Sequence, residues 1–459
     1  MNKKILLIAI AAVVALGATA QSKDGGISES MLEQMRKSYT NSPEQRAIKN
    51  ALSSTPLSQL GYNSENLANM DTHFTHRVKT KGITNQKSSG RCWLFTSLNI
   101  LRAKMINKYK LPEMEFSQNY CSFHDQLEKS NVFLQKIIDT RNLPIYDSKV
   151  RGLFGSPIGD GGNFKGAANI IMKYGIVPKE AMPETYQSEH TKKYRSILTT
   201  KLRIFGLELR AAKSRKEAMA LKEKQLAEVY RILVECMGVP PTEFEWTRRN
   251  RNGKVVSTEK YTPKSFYEKY IAEDLKDNYV VFMNNPTYEY GKYYKGKVGT
   301  HVYDGDSWQF INLPMERIKE MAIASIKGNT GMYLSCGVGY SKKGYSLDLN
   351  NFDYESLFRT KLTMDKYDGI VTREIRSNHA MTLMAVDLDK DGKPRKWMVE
   401  NSWGATNGHK GHLIMTDEWF DKHVFNVVIE RKYIPEDILK ILDKKPVKLP
   451  IKKYKAKNK

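Results

Sequence analysis

The chain has 459 residues and a formal net charge of +24, from 74 Lys+Arg against 50 Asp+Glu. Its 40% apolar and 10% aromatic content excludes whole-chain disorder, a collagen-like fibre and a multi-span membrane protein. Four cysteines are too few for a disulfide-stapled scaffold, and at ~150 residues per domain the length suggests two to four structural units.

The N-terminus reads as an address. Lys3 and Lys4 precede an uncharged apolar run over 5–16 (ILLIAIAAVVAL), and Ala18-Thr19-Ala20 forms a small-x-small step before Gln21. That is the layout of a secretory signal peptide. The uncharged stretch falls short of the ~18–20 apolar residues that span a bilayer, and no Cys near the step offers a lipid anchor. A signal over 1–20, cleaved at about Ala20, is expected. The double Lys and short apolar run suit a bacterium, so the product is expected to be secreted or periplasmic, without stable membrane insertion.

Residues 28–61 read as short helices interrupted at Asn41-Ser42-Pro43 and Pro56. Residues 73–83 alternate like a strand or an extended arm. From 92 to 108, Trp93, Leu94, Leu98, Leu101 and Met105 fall at helical spacing and predict an amphipathic or buried helix. A Gly-rich loop is expected over 152–163, then a helix over 164–174 stopped by Gly175. Residues 186–237 read as an inserted helical module, rich in Ala, Leu, Lys, Arg and Glu. Strands are expected at 279–283, 332–336, 380–387, 396–400, 412–416 and 424–430. The layout is helices, a helical insertion, then a sheet: an α+β fold over 21–440, followed by a tail over 441–459.

Most of the positive charge sits in two places. Residues 192–231 carry twelve basic residues against Glu208, Glu217, Glu223 and Glu228, and residues 444–459 carry eight lysines and no acid. The helical cluster reads first as a solvated face. A surface for nucleic acid or another polyanion is a second reading, since clustered Lys/Arg gains binding free energy by releasing counterions; a membrane-facing patch is a third. The tail reads as a flexible charged extension.

Three strings carry chemistry: Asn85-Gln86-Lys87-Ser88-Ser89-Gly90-Arg91-Cys92-Trp93, Ser377-Asn378-His379-Ala380-Met381 and Val399-Glu400-Asn401-Ser402-Trp403-Gly404. A cysteine hydrolase needs a thiolate, an imidazole that later protonates the leaving amine, a group that orients the ring, and donors for the oxyanion. Cys92 opens the predicted helix, where backbone N–H groups and the helix dipole favour a thiolate. Gln86 lies six residues upstream, with an amide suited to the oxyanion. His379 sits at the entrance to one predicted strand and Asn401 ends the next, so antiparallel pairing could place them side by side. Each residue alone has an ordinary structural reading; the three strings together, in this order, do not.

Those strings resemble the papain-like cysteine peptidases and, more narrowly, the bleomycin hydrolase/aminopeptidase C branch. Segments TNQKSSGRCWLF, DGGNF with YGIVPK, NHAMTLMAVDLDKDGKPRKWMVENSWG and GHKGHLIMTDEWF carry the resemblance, which runs from about residue 28 to 450. The papain signature is C-G-[SA]-C-[WY], with His roughly 130–150 residues downstream. Here Ser89 replaces its first Cys, removing the disulfide that Cys usually makes. Arg91 replaces the small residue, and the gap from Cys92 to His379 is about twice as long. These departures are typical of the bleomycin hydrolase branch, which has a large helical insertion. Residues 28–61 resemble that branch's N-terminal arm rather than an inhibitory pro-segment.

The resemblance implies a two-subdomain fold with a helical left half and a β-rich right half. It implies Cys92 as nucleophile, His379 as general acid/base, Asn401 as ring orienter and Gln86 as oxyanion donor. It assigns Trp403 to shielding the His–Asn bond at the substrate site, and Gly161 and Gly162 to pairing with the substrate backbone, where an ordinary tight turn is the other reading. It implies a hexamer enclosing a channel, with the C-terminal tail in the cleft and its carboxylate recognising the substrate's free amino group. Residues 451–459 (IKKYKAKNK) are lysine-rich where the family's tails are mostly apolar and small. Three readings of function follow: an exported aminopeptidase, an endopeptidase with an open cleft, or a polyanion-binding protein with secondary peptidase activity.

No cofactor is expected, and Cys121, Cys236 and Cys336 lack metal-binding spacing and are expected as buried free thiols. His409, His412 and His423 are expected at the surface or in turns, and His73, His76, His124, His190 and His301 have no companion motif.

Overall fold

The computed structural model describes residues 25–66, 70–296 and 300–449; the expected signal peptide and the lysine-rich end of the tail lie outside them. Two hydrophobic cores divide the rest. One gathers the long helices Cys92–Tyr109, Gln118–Asp139 and Phe164–Tyr174 with the inserted pair Lys192–Ala211 and Arg215–Met237. The other lies on the sheet, under helices Met315–Lys327 and Asp417–His423.

Helix Cys92–Tyr109 is buried on nearly every side, from Trp93 to Ile106. Its burial on all sides, polar Thr96, Ser97, Asn99 and Arg102 included, makes it a core helix rather than a surface one, which settles its expected character. It ends at Lys110 in the left-handed region, φ 52°. Phe164–Tyr174 starts on Asn163, whose side chain accepts from the Gly166 amide, and stops at Gly175, φ 78°.

At the centre of the sheet, strand Met332–Cys336 runs antiparallel to both His379–Leu388 and Val424–Glu430. Beyond His379–Leu388 lie Pro394–Glu400 and His412–Thr416, again antiparallel. These runs read as nearly continuous Val, Ile, Leu and Met because both faces are covered. On the other flank come Tyr279–Met283, Gln309–Asn312 and Lys292–Gly296. The flank closes with Val447–Leu449, parallel to Lys292–Gly296. The tail expected as a flexible extension from 444 therefore begins as a sheet strand. Val447 and Leu449 supply the β-branched and apolar positions that an edge strand needs.

The expected loop over 152–163 is partly helical, since helix Ser148–Gly155 covers its start with Asp147 as its cap. The insertion helices pack against Gln118–Asp139, and part of their basic charge is engaged within the fold. Arg210 donates to the carbonyls of Thr140 and Leu143, and Arg203 donates to that of Phe154 at 3.0 Å. Lys201 pairs with Glu228 at 2.7 Å. Cys121 and Cys336 are buried free thiols, whereas Cys236 is only half-buried.

His412 and His423 are corrected from surface to core. Both are buried; His412 lies in a fully paired strand, and His423 stacks on Tyr340 with centroids 4.9 Å apart. Burial lowers His124 to about 4, His412 to about 4 and His423 to about 3. Each stays neutral when folded but binds a proton below its ordinary value, about 6.5, once unfolded. The unfolded state thus holds more protons between about pH 6.5 and 4, so the stability these groups give is complete above 6.5 and lost as pH falls through that window. The melting temperature is expected to drop as pH falls from about 6.5 towards about 4.5, before most carboxylates titrate. A flat profile there would contradict it.

Candidate active site

The three chemistry-bearing strings meet where the two cores face each other. A cleft of about 700 Å³ has Gln86, Cys92, Trp93, Gly161 and Gly162 on one wall, and His379, Ala380, Ser335 and Asn426 on the other. Cys92 is the first residue of helix Cys92–Tyr109 and is half-buried. Burial pushes its thiol up; the backbone amides of Ala380, Trp93 and Cys92 itself oppose that by favouring the thiolate. His379 begins strand His379–Leu388, and burial pushes its imidazole down, against the hydrogen bond to Asn401. A lone charge on either group is disfavoured, while thiolate and imidazolium formed together compensate each other.

The tautomer of His379 follows from its neighbours. Asn401 Oδ1 accepts from the Ser402 backbone N–H at 2.8 Å, so the amide oxygen is the atom at that position. The same oxygen lies 2.9 Å from His379 Nε2, which must therefore carry a hydrogen and donate. Nδ1 is left as the ring nitrogen available to the sulfur. Trp403 lies nearly parallel to the imidazole, centroids 4.8 Å apart. It covers the histidine, the position its expected shielding of the His–Asn bond requires.

Gln86 is held on both ends of its amide. Its Nε2 donates to the Ser89 carbonyl at 2.6 Å, and its Oε1 accepts from Ser402 Oγ at 2.6 Å. A carbonyl partner can only accept, so the amide orientation is determined and the second Nε2 hydrogen is left for the cleft. The Gln86 backbone N–H donates to Ser402 O at 2.8 Å, joining the Gln86 string to the Asn401 string. The buried pair of Arg102 on the Cys92 helix with Glu400 ties the nucleophile's helix to the strand that ends just before Asn401.

Asp160, which the sequence reading did not single out, links the Cys92 loop to the glycine pair. Its carboxylate accepts from the Gly90 N–H at 3.1 Å, and its carbonyl accepts from Trp93 Nε1 at 2.7 Å. Lys129 donates to the Gly161 carbonyl at 2.8 Å. His301 pairs with Asp125 at 2.6 Å and meets Trp93 edge-on. No local sequence signal marks this group, because its members come from distant segments.

The two glycines differ. A Cβ on Gly162 would lie 2.4 Å from His301 and 2.5 Å from Trp93, whereas one on Gly161 meets nothing within 4 Å. Gly162→Ala is expected to cost about 1–3 kcal/mol, the usual range for overpacking, and to lower activity by displacing Trp93. Gly161→Ala should keep wild-type stability. Thermal melts of both variants check this, and equal melting temperatures would contradict it.

Among the described residues, no group of three or more His, Cys, Asp or Glu is placed to hold a metal ion. The arrangement is that of acyl transfer: a thiol at a helix N-terminus, an oriented imidazole, and an amide N–H beside them.

Comparison with known proteins agrees with that chemistry. The sequence profile of the peptidase C1-like family matches residues 26–453. The chain belongs to this family. It is 35% identical over 425 residues to aminopeptidase C of Lactobacillus delbrueckii subsp. lactis, covering 91% of this chain and 94% of that one. It is 37% identical over 395 residues to human bleomycin hydrolase, covering 82% and 86%. The crystal structure of PepW from Lactobacillus rhamnosis superposes with a TM-score of 0.89 at 34% identity, covering 93% of this chain and 98% of that one. The family resemblance and the papain-like α+β fold expected from the sequence are thus established, and the protein is a cysteine-type peptidase.

Proposed function

We propose that the protein is an exported aminopeptidase, acting through a thioacyl-enzyme on Cys92. The observation that carries this is the Cys92 helix start facing a His379 whose Nε2 is fixed by Asn401, with a clamped Gln86 amide in the same cleft. The Cys92 thiolate attacks the scissile carbonyl and forms the S–C bond. The carbonyl oxygen takes the negative charge, held by Gln86 Nε2 and the Cys92 backbone N–H. As the C–N bond breaks, His379 gives its Nδ1 proton to the departing amine. Water then attacks the thioester, His379 takes its proton, and the acid product leaves with Cys92 regenerated. Gly161 and Gly162 offer backbone to the substrate strand.

The names of the relatives support N-terminal rather than internal cleavage, and the apolar run before Ala20 supports export. A homo-oligomer, hexameric by family resemblance, belongs to the same reading. Helix Glu29–Ser38 and its flanks leave Ile27, Met31, Met35 and Tyr39 exposed at four-residue spacing, a stripe suited to another copy.

Matched peptides with free and acetylated N-termini test the specificity. A kcat/KM at least about 10-fold higher for the free amine is expected, since one charge-assisted contact contributes about 1.5–3 kcal/mol. Preference for the blocked peptide would make the enzyme an endopeptidase.

A further inference from the structure

Resting on that reading, we infer that Arg91, paired with Glu184, is a positioning residue that holds the oxyanion loop 86–91 in its catalytic shape. The loop needs an outside hold. Lys87 sits in the left-handed region, φ 52°, which a non-glycine residue adopts only when its surroundings impose it. No covalent staple is available, because Ser89 stands where a cysteine would bridge and all four cysteines are free.

Arg91 supplies the hold. Its side chain is 2% exposed, and it grips Glu184 with a two-pronged contact, Nη1 to Oε1 at 3.1 Å and Nη2 to Oε2 at 2.9 Å. Its third donor, Nε, reaches Ser89 Oγ at 3.0 Å. Ser89 Oγ then donates to the Gln86 carbonyl at 2.6 Å, and the Ser89 carbonyl receives Gln86 Nε2. The bonds run unbroken from Glu184 to the amide that would meet the oxyanion. At the far end Glu184 also accepts from Ser188, in the turn at the foot of the inserted helices. The loop is thereby braced against the insertion.

The backbone carbonyl of Arg91 accepts from the amides of Leu94 and Phe95 at 2.9 and 3.1 Å. The helix thus holds the main chain at Arg91, so losing the side-chain contacts moves the Gln86 amide while the Cys92 N–H stays in place. Lysine cannot replace this residue, since a single ammonium does not make the planar fork and the Nε contact at once.

The test separates positioning from simple stability. Arg91→Lys keeps the charge, and Ser89→Ala leaves the ion pair intact while cutting its link to Gln86. Both are assayed as active-site-titrated, folded protein, so one decides if the other fails to fold. The expected result is a kcat lower by about 10-fold or more, part of the roughly 10²–10³ lost with a whole oxyanion donor. KM is expected to stay within about twofold, and alkylation of Cys92 by iodoacetamide to keep its rate and pH midpoint. Alkylation uses the thiolate but builds no oxyanion. An unchanged kcat per titrated site in either folded variant, or a parallel loss of alkylation, overturns the assignment. Wild-type enzyme is the control: if it hydrolyses no peptide, the peptidase function falls, whereas an active wild type beside an equally active variant refutes the role of Arg91 alone.

Discussion

Cys92→Ala is expected to abolish peptide hydrolysis while leaving the fold intact. Without the sulfur no thioacyl-enzyme forms, and the remaining His379, Asn401 and Gln86 have no nucleophile to serve. Loss of the nucleophile from a linked catalytic set costs about 10⁶ in kcat in the best-measured case. The variant should therefore fall below detection with aminoacyl fluorogenic amides. Stability should change by less than about 1 kcal/mol, because Cys92 is half-buried at the helix start and truncating its small side chain opens little space. Cys92→Ser tests the same point more strictly, since a hydroxyl keeps the shape but not the acidity. Its partner imidazole is already pushed down by burial, so nothing in the site compensates for a poor acid. Activity of either variant above a trace would remove Cys92 from its role. In the wild type, rate should follow a bell with pH: it falls on the acid side as the thiolate is protonated and on the alkaline side as the imidazolium loses its proton.

How much of this was legible beforehand depends on how local each signal is. The helix from Cys92, the helix stopped by Gly175, the strand begun by His379 and the strand leading to Asn401 show apolar runs or clear stop residues within one segment. The hairpin Phe244–Arg249 with Val255–Tyr261 was missed although Asn252-Gly253 marks its turn; its charged outer positions hid the alternation. Val447–Leu449 leaves little local signal, because Lys448 and the flanking lysines outweigh Val447 and Leu449. In the site, Cys92, His379, Asn401 and Gln86 were recoverable from strings. Arg91 with Glu184, and His301 with Asp125, were not, because a buried ion pair between distant segments leaves no spacing to read. A buried charge is tolerated only with its partner in place. The sequence shows an arginine where the papain signature has a small residue, and only the fold shows what neutralises it.

Gln86 carries the second large expected effect. Gln86→Ala should lower kcat by about 10²–10³, or 2.7–4 kcal/mol, the usual cost of one oxyanion donor, with KM nearly unchanged because the donor acts on charge that develops only in the transition state. The clamp by Ser89 and Ser402 makes this donor preorganised, so little reorganisation offsets its loss. Truncation also leaves the Ser402 hydroxyl and the Ser89 carbonyl without their partner, at about 1–3 kcal/mol of stability, so rates must be taken per titrated site. Gln86→Glu is the sharper test. It preserves volume and can still accept from Ser402, yet it offers no N–H and places a negative charge where the oxyanion forms. It should be slower than the alanine variant. If the cost were merely one of packing, the isosteric glutamate would be the better enzyme; the order of these two rates decides between the roles.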